Sequence, residues 1–164
     1  MTYIEDLSIY TYANSMFYRP VTKAVGWLSR EHAFEVSPPM EGMLDVVWQY
    51  CKFPVAQMRG RQECEFCWSE LPPPSDMLSE LAALRDQDNR VWRAERNGET
   101  LFLGSAEIRV FGKGDLIYAA PTLIYHYVFI HHYKPPEEFL CALKESPKPP
   151  DPMYLERLTK LNLR

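Results

Sequence analysis

Clusters of proline divide this chain and limit the length of every helix or strand that it can form. Several of its 14 prolines stand together, at Pro38-Pro39, Pro72-Pro73-Pro74, Pro135-Pro136 and Pro149-Pro150. Proline has no backbone N–H to donate, and it pushes the residue before it toward extended geometry. The segments between the clusters are therefore expected to hold short elements. None of these segments contains the roughly 18 apolar residues that a membrane span requires.

The composition is that of a folded domain with an acidic surface. A chain of 164 residues, 46% hydrophobic and 24% charged, is predicted to form a single domain over residues 1–164. The formal net charge of −4 disfavours binding to nucleic-acid phosphates or to an anionic membrane. The N-terminal stretch has neither a basic start nor an apolar signal core, so we expect a cytoplasmic location with reduced cysteines.

The clearest helix signal follows Pro38-Pro39. Apolar side chains recur there at the three-four spacing of one helical face. They are Met40, Met43, Leu44, Val47, Trp48 and Cys51. Ser37 is placed to cap this helix, and Pro54 is placed to end it.

Four further helices are predicted, which gives about five in all. One opens at Ser75-Asp76, and helices also open at Glu137 and at Asp151. The inward-facing residues of the helix at Ser75-Asp76 are predicted to be Leu78, Leu81 and Ala82. The segment from Pro121 to Tyr133 is apolar or aromatic on every side, and it predicts a central, buried helix.

Residues 90–120 carry the strand signals. Asn97-Gly98 stands between two apolar-containing runs, which is a strong signal for a hairpin. Glu107 to Phe111 alternates with the period of two that is typical of a strand. With short strands expected in the N-terminal region, these residues predict a central antiparallel sheet. Strands in the middle of the chain with helices on both sides indicate an α+β fold with a zinc knuckle.

Cys64 and Cys67 form a Cys-x-x-Cys pair, which is half of a structural zinc site. Two further ligands are required, and His126 and His131 are the best candidates. On an ideal helix five positions turn about 500°, which leaves these two rings about 140° apart. The pairing therefore requires a helix that loosens near His131, and the nearby Pro135-Pro136 favours such an end.

Other interpretations of the cysteines and histidines remain open. Cys51 is an alternative ligand, although it falls on the apolar face of its helix, where a thiol packs as a small hydrophobe. Without metal, the cysteines would be a reduced pair and the histidines would be satisfied in the core. A redox role is opposed by Glu63 and Glu65, which would raise the thiol pKa values. A deaminase signature fails because Glu63 stands where that signature has proline.

Four blocks of the sequence stand out together: Val25-Gly26-Trp27-Leu28, Cys64-Glu65-Phe66-Cys67, Glu107-Ile108-Arg109-Val110, and Tyr118 to Val128 with His131, Pro135 and Pro136. Taken together, these blocks resemble a bacterial family of small uncharacterised domains. The resemblance covers residues 3 to about 143. It implies that the two cysteines and two histidines share a metal, and that residues 71–96 are an insertion. Residues 147–164 lie outside it as a C-terminal helical extension, and Gln62 stands near a position where the family tends to have histidine.

Three functional hypotheses follow from these observations. The first is a non-enzymatic, zinc-stabilised domain that binds a protein partner. By analogy with the resemblance, this would be an immunity protein that neutralises a toxin, with contacts from Tyr3, Tyr10, Tyr12 and Tyr18. The same tyrosines could equally pack against the core.

The second hypothesis is a zinc-dependent hydrolase or deaminase with Glu107 or Glu35 as base. The third, a DNA-associated zinc domain, is disfavoured by the acidic net charge.

Overall fold

Helices surround a small central sheet in the computed structural model, which describes residues 3–10, 21–68, 77–78 and 93–163. Five helices lie wholly within the described residues: α1 (Glu41–Cys51), α2 (Glu65–Trp68), α3 (Ile124–His131), α4 (Glu137–Glu145) and α5 (Pro152–Lys160). The described residues also contain five strands: β1 (Thr22–Ala24), β2 (Arg93–Arg96), β3 (Glu99–Phe102), β4 (Glu107–Phe111) and β5 (Ile117–Pro121). The predicted α+β class is confirmed. No helix in these ranges is long and apolar enough to cross a membrane.

The strands form two sheets, whereas the sequence predicts one. β4 and β5 pair antiparallel, and β1 pairs parallel to β5, which gives a three-stranded sheet in the order β1-β5-β4. β2 and β3 form a separate antiparallel hairpin around Asn97-Gly98, as its sequence predicts. The separation has a local cause. The chain turns at Gly104, between β3 and β4. Val55 pairs with Glu107 at the start of β4, so the loop that contains Val55, rather than β3, lies beside β4.

α1 lies against α3, α4 and β4 and buries the face that the sequence predicts. Leu44, Val47, Trp48 and Cys51 are buried, but Met40 is exposed and precedes the first turn. Ser37 does not cap α1. Its backbone N–H instead donates to the carbonyl of His132, 2.8 Å away, so the segment before α1 is bound to the end of α3.

α3 is shorter and less enclosed than the sequence predicts. It begins at Ile124 rather than at Pro121, because Pro121 is the last residue of β5 and lies opposite Glu107 in the sheet. Its first five residues are buried, whereas Phe129 and Ile130 near its end are exposed. The prediction of a helix buried on every side therefore holds only for the half that packs on α1.

The C-terminal extension packs onto the core. The Asp151 carboxylate accepts a hydrogen bond from the Met153 backbone and caps α5. Tyr154 on α5 is fully buried and donates from its hydroxyl to the carbonyl of Arg109. The helix predicted after Ser75 lies outside the described residues except for Met77 and Leu78. Leu78 is exposed there, in contrast to its predicted inward position.

Candidate metal centre

Four side chains converge between α2 and α3, and they are the four that the sequence predicts. One ligand atom from each of Cys64, Cys67, His126 and His131 lies within 4.8 Å of the other three. Cys64 Sγ is 3.2 Å from His131 Nε2, and Cys67 Sγ is 3.2 Å from His126 Nε2. The two Nε2 atoms are 3.2 Å apart. In a tetrahedral zinc centre with usual bond lengths, neighbouring ligand atoms lie about 3.3–3.8 Å apart. The spacings observed here are therefore close to those expected around one ion.

The loop that delivers the cysteines is paired with the chain between β3 and β4. Val55 exchanges two backbone hydrogen bonds with Glu107, Met58 donates to Ser105, and Gln62 donates to Gly104. Cys64 follows this paired stretch directly and precedes α2. At the start of α2, the Glu65 carboxylate accepts from the backbone N–H of Arg30 at 3.0 Å. Hydrogen bonds to other parts of the fold therefore hold the chain both just before Cys64 and at Glu65.

The conformation at the end of α3 explains how the rings of His126 and His131 meet, although an ideal helix would point them well apart. His132 adopts the left-handed conformation with φ 54°, and its N–H bonds to the carbonyl of Tyr127, five residues back instead of four. A five-residue bond widens a helical turn, which reduces the angle between positions five apart. His131 is the last residue of α3, near the helix end where the sequence predicts it, and this wider end allows its ring to meet that of His126.

The centre is enclosed by aromatic rings. Cys64 is fully buried, and His126 is also buried. Phe66, which lies between the two cysteines in the chain, packs its ring 5.3 Å from that of His131 and 5.4 Å from that of Phe34. These contacts exclude water from one side of the centre, and a dry surrounding strengthens the attraction between thiolates and a cation.

Burial keeps Cys64 and His126 neutral when no cation is bound. Desolvation raises the pKa of the Cys64 thiol to about 12. Desolvation, together with the nearby charge of His131, lowers the pKa of His126 to about 4. A neutral imidazole is already in the form that binds metal, whereas a protonated thiol must lose its proton. The arrangement therefore favours a cation that binds thiolate strongly.

The remaining candidate residues lie in other surroundings. Cys51 is not part of the close group found among the described residues, and its buried Sγ donates to the carbonyl of Thr122. Tyr3 stacks on His32 with ring centroids 3.7 Å apart. Tyr10 is half-buried, and its hydroxyl donates to Glu107. Tyr12 and Tyr18 lie outside the described residues.

β4 carries a buried charge network that the sequence did not predict. Glu107 and Arg109 are almost fully buried and form an ion pair of 2.7 Å. Tyr10 donates to the second carboxylate oxygen of Glu107 at 2.5 Å, and the Arg109 guanidinium lies over the Tyr10 ring. The available signal was two opposite charges at alternate positions of a strand. That spacing puts both side chains on one face of the strand.

Replacing Gly104 by alanine is expected to lower the free energy of unfolding by about 2–4 kcal/mol. Gly104 has φ +91°, and an added Cβ would lie 2.5 Å from the carbonyl oxygen of Gln62, in the loop that leads to Cys64. Denaturant unfolding measures the effect. Gly60→Ala is the control, because nothing lies within 4 Å of a Cβ there. Equal effects of the two substitutions would contradict this role for Gly104.

One comparison with known protein families covers most of the chain. Residues 2–144 match the family described as Domain of unknown function (DUF7919). The chain belongs to this family. Comparison with the curated proteins and with the solved structures finds no match. The DUF7919 match includes all four residues of the metal centre and ends before α5 begins.

Proposed function

We propose that Cys64, Cys67, His126 and His131 hold a structural zinc ion in a non-enzymatic, protein-binding domain. The observation that carries the proposal is the convergence of four protein ligand atoms within 4.8 Å of one another. Two thiolates and two imidazoles are a usual ligand set for zinc, and soft sulfur ligands disfavour magnesium or calcium. The charges of two thiolates and one Zn²⁺ sum to zero, which suits a buried site.

A closed ligand set favours a structural over a catalytic role. Catalytic zinc keeps one position for water, and here four protein atoms are available to fill a tetrahedron. The carboxylates considered as bases also support this choice. Glu107 is engaged by Arg109 and Tyr10, and the Glu35 carboxylate lies 3.9 Å from Lys134.

Elemental analysis and X-ray absorption test the metal directly. Protein purified under reducing conditions should contain one zinc per chain, with a first shell of two sulfur and two nitrogen atoms. An oxygen atom in that shell would support the alternative of a zinc-dependent hydrolase. Protein that takes up no zinc under these conditions would exclude both.

Zinc binding is expected to release at least one proton at pH 7.5. Cys64 is protonated in the metal-free protein, since burial raises its pKa to about 12, and a zinc-bound cysteine is a thiolate. His126 adds no proton, because its pKa is lowered to about 4. Titration calorimetry in buffers of different ionisation enthalpy gives this number. Release of no protons would show that the thiols are not ligands.

The protein-binding part of the proposal is supported by the surface around Pro135. Two adjoining clefts meet at this proline and share Lys134 and Glu137. One is lined by the acidic residues Glu5, Asp6, Glu35 and Glu137. Met40 beside the other cleft is 63% exposed. An acidic surface next to exposed apolar side chains suits a basic protein partner, of which a toxin is one kind.

Binding of the purified product of the adjacent gene tests this part. Glu35→Lys should weaken binding and reduce its dependence on salt, because it reverses one charge beside the cleft. Glu156→Lys on α5 makes the same charge change at a residue that also has one surface lysine partner. Equal effects of the two substitutions would place the partner elsewhere.

A further inference from the structure

An apolar groove lies between the start of α1 and α4. Its lining includes Met40 and Met43 at the start of α1 and Leu140 on α4, and its volume is about 400 Å³. That volume falls within the range of about 300–1,000 Å³ that is usual for ligand sites. Methionine side chains are unbranched and adapt to irregular apolar shapes. The groove therefore has the size and the lining to receive an apolar side chain from another molecule.

The adjoining acidic cleft has a volume of about 540 Å³ and an excess of negative charge. Its lining holds the carboxylates of Glu5, Asp6, Glu35 and Glu137 and one ammonium group, that of Lys134. Glu35 and Lys134 lie 3.9 Å apart. Glu5, Asp6 and Glu137 form no ion pair with any described residue. Three negative charges of the acidic cleft are therefore left without a counter-charge from the described part of the chain.

Hydrogen bonds hold one of these carboxylates, that of Asp6, in position. Asp6 is partly buried, and its Oδ1 atom accepts from the backbone N–H of Gly26 at 2.8 Å. Its Oδ2 atom accepts from the hydroxyl of Tyr133 at 2.7 Å. Both donors are neutral, so they orient the carboxylate without cancelling its charge. This wall of the acidic cleft is thus preorganised, which lowers the cost of binding a cation.

Two stacked rings give the acidic cleft a flat aromatic surface. The rings of Tyr3 and His32 have centroids 3.7 Å apart and planes within 2° of parallel, and both residues line the cleft. A guanidinium group is planar, stacks on such rings and carries five N–H donors for carboxylates, whereas an ammonium group is a compact point charge. A metal ion needs several oxygen atoms close together, and the only close group of ligand atoms among the described residues is the metal centre. The lining therefore favours arginine.

We propose that the apolar groove and the acidic cleft together bind one segment of the protein partner. An arginine side chain of this segment enters the acidic cleft, and a neighbouring apolar side chain enters the apolar groove. The two depressions meet at Pro135 and share Lys134 and Glu137, so residues close together in one segment reach both. Charge complementarity identifies the basic group. This inference rests on the proposed protein-binding function and specifies the chemistry that the partner presents.

Titration of the isotope-labelled full chain with capped dipeptides, followed by NMR, tests the inference. The probes are N-acetyl-leucyl-arginine amide and N-acetyl-arginyl-leucine amide. At least one of them should produce saturating shift changes at residues 3–6 and 32–35 and at Met40 and Leu140. Citrulline in place of arginine keeps the shape without the charge and should abolish saturable binding. Lysine in place of arginine should weaken binding about two- to fivefold, and alanine in place of leucine about threefold or more.

Two pairs of variants assign the binding to the acidic cleft. Tyr3→Ala removes one of the stacked rings and should weaken binding of the arginine probe about two- to fivefold. Tyr3→Phe keeps a ring and should bind the probe more tightly than Tyr3→Ala. Glu5→Gln removes one carboxylate and should weaken binding of the arginine and lysine probes about two- to fivefold. Glu156→Gln on α5 removes the same charge elsewhere and should leave binding unchanged. The NMR spectrum of each variant reports whether it is folded.

Failure of this inference is distinguishable from failure of the proposed function. Suppose that the product of the adjacent gene binds and Glu35→Lys weakens its binding. If neither probe then saturates, or if the citrulline probe binds as well as the arginine probe, the arginine inference is wrong while the protein-binding function stands. Shift changes away from both depressions, or Tyr3→Ala and Glu5→Gln with wild-type affinity, would also overturn it. If the probe saturates the cleft but the gene product does not bind, that product is not the partner, and the recognition of arginine stands.

Discussion

Cys64→Ser is expected to abolish stoichiometric zinc binding and to lower the free energy of unfolding by about 3–5 kcal/mol. Cys64 is fully buried between the paired loop and α3, so the substitution removes a ligand and leaves a hydroxyl in a dry site. For a chain of this size, that loss should lower Tm by about 6–20 °C. Elemental analysis and thermal unfolding, each with and without added zinc, measure the two effects.

The other cysteines provide matched controls for Cys64→Ser. Cys141 is exposed, and Cys51 is buried with a donor bond to the Thr122 carbonyl. Both serine variants should retain one zinc per chain, and Cys141→Ser should keep wild-type stability. Loss of zinc from Cys51→Ser would assign that thiol to the centre. Full zinc content in Cys64→Ser would show that the four residues do not bind the metal together.

Glu107→Met is expected to destabilise the protein by about 3–5 kcal/mol, because it leaves the buried Arg109 guanidinium without its carboxylate. Both side chains are about 2% exposed, and Tyr10 loses its acceptor at the same time. The double variant Glu107→Met/Arg109→Met removes both charges and should recover a large part of this loss. Denaturant unfolding of the single and double variants forms a mutant cycle that isolates the coupling.

A surface pair gives the comparison for that cycle. Glu156 and Lys160 lie 2.9 Å apart on α5, but their side chains are 65% and 71% exposed. Glu156→Gln should therefore change the free energy of unfolding by less than about 0.5 kcal/mol. A Glu107→Met variant as stable as Glu156→Gln would show that water reaches Arg109 and that the network contributes little.

Local signals predicted most of the elements, but not how the strands pair. The spacing of Leu44 to Cys51 and the Asn97-Gly98 turn each depend on neighbours in sequence, and α1 and the β2-β3 hairpin are present as predicted. The pairing of Val55 with Glu107 joins distant residues, and neither carries a signal for the other. That bridge places the loop rather than β3 beside β4, which explains the two sheets.

The convergence of the four side chains was predictable, because a zinc site uses few residue types and the chain has only four histidines and four cysteines. The backbone conformation that brings these side chains together was not predictable. The residue type of His132 does not predict its left-handed conformation, since residues in this conformation at the end of a helix are more often glycine or asparagine. The ion pair within β4 was also missed, because burial of a strand on both faces depends on what covers it. Tyr10 and Tyr154 come from opposite ends of the chain.

If the proposed ion binds, the spacing of its ligands along the chain also affects the denatured ensemble. Cys67 and His126 are 59 residues apart, so an ion bound to both closes a large covalent-like ring. By the relation used for cross-linked polymers, closing a ring of that size stabilises the native state by about 4 kcal/mol. This stabilisation grows only with the logarithm of ring size, and doubling the number of residues in the ring changes the free energy of closure by about 0.6 kcal/mol. Homologues could therefore lengthen or shorten the stretch between α2 and α3, where residues 71–96 lie, with little thermodynamic consequence.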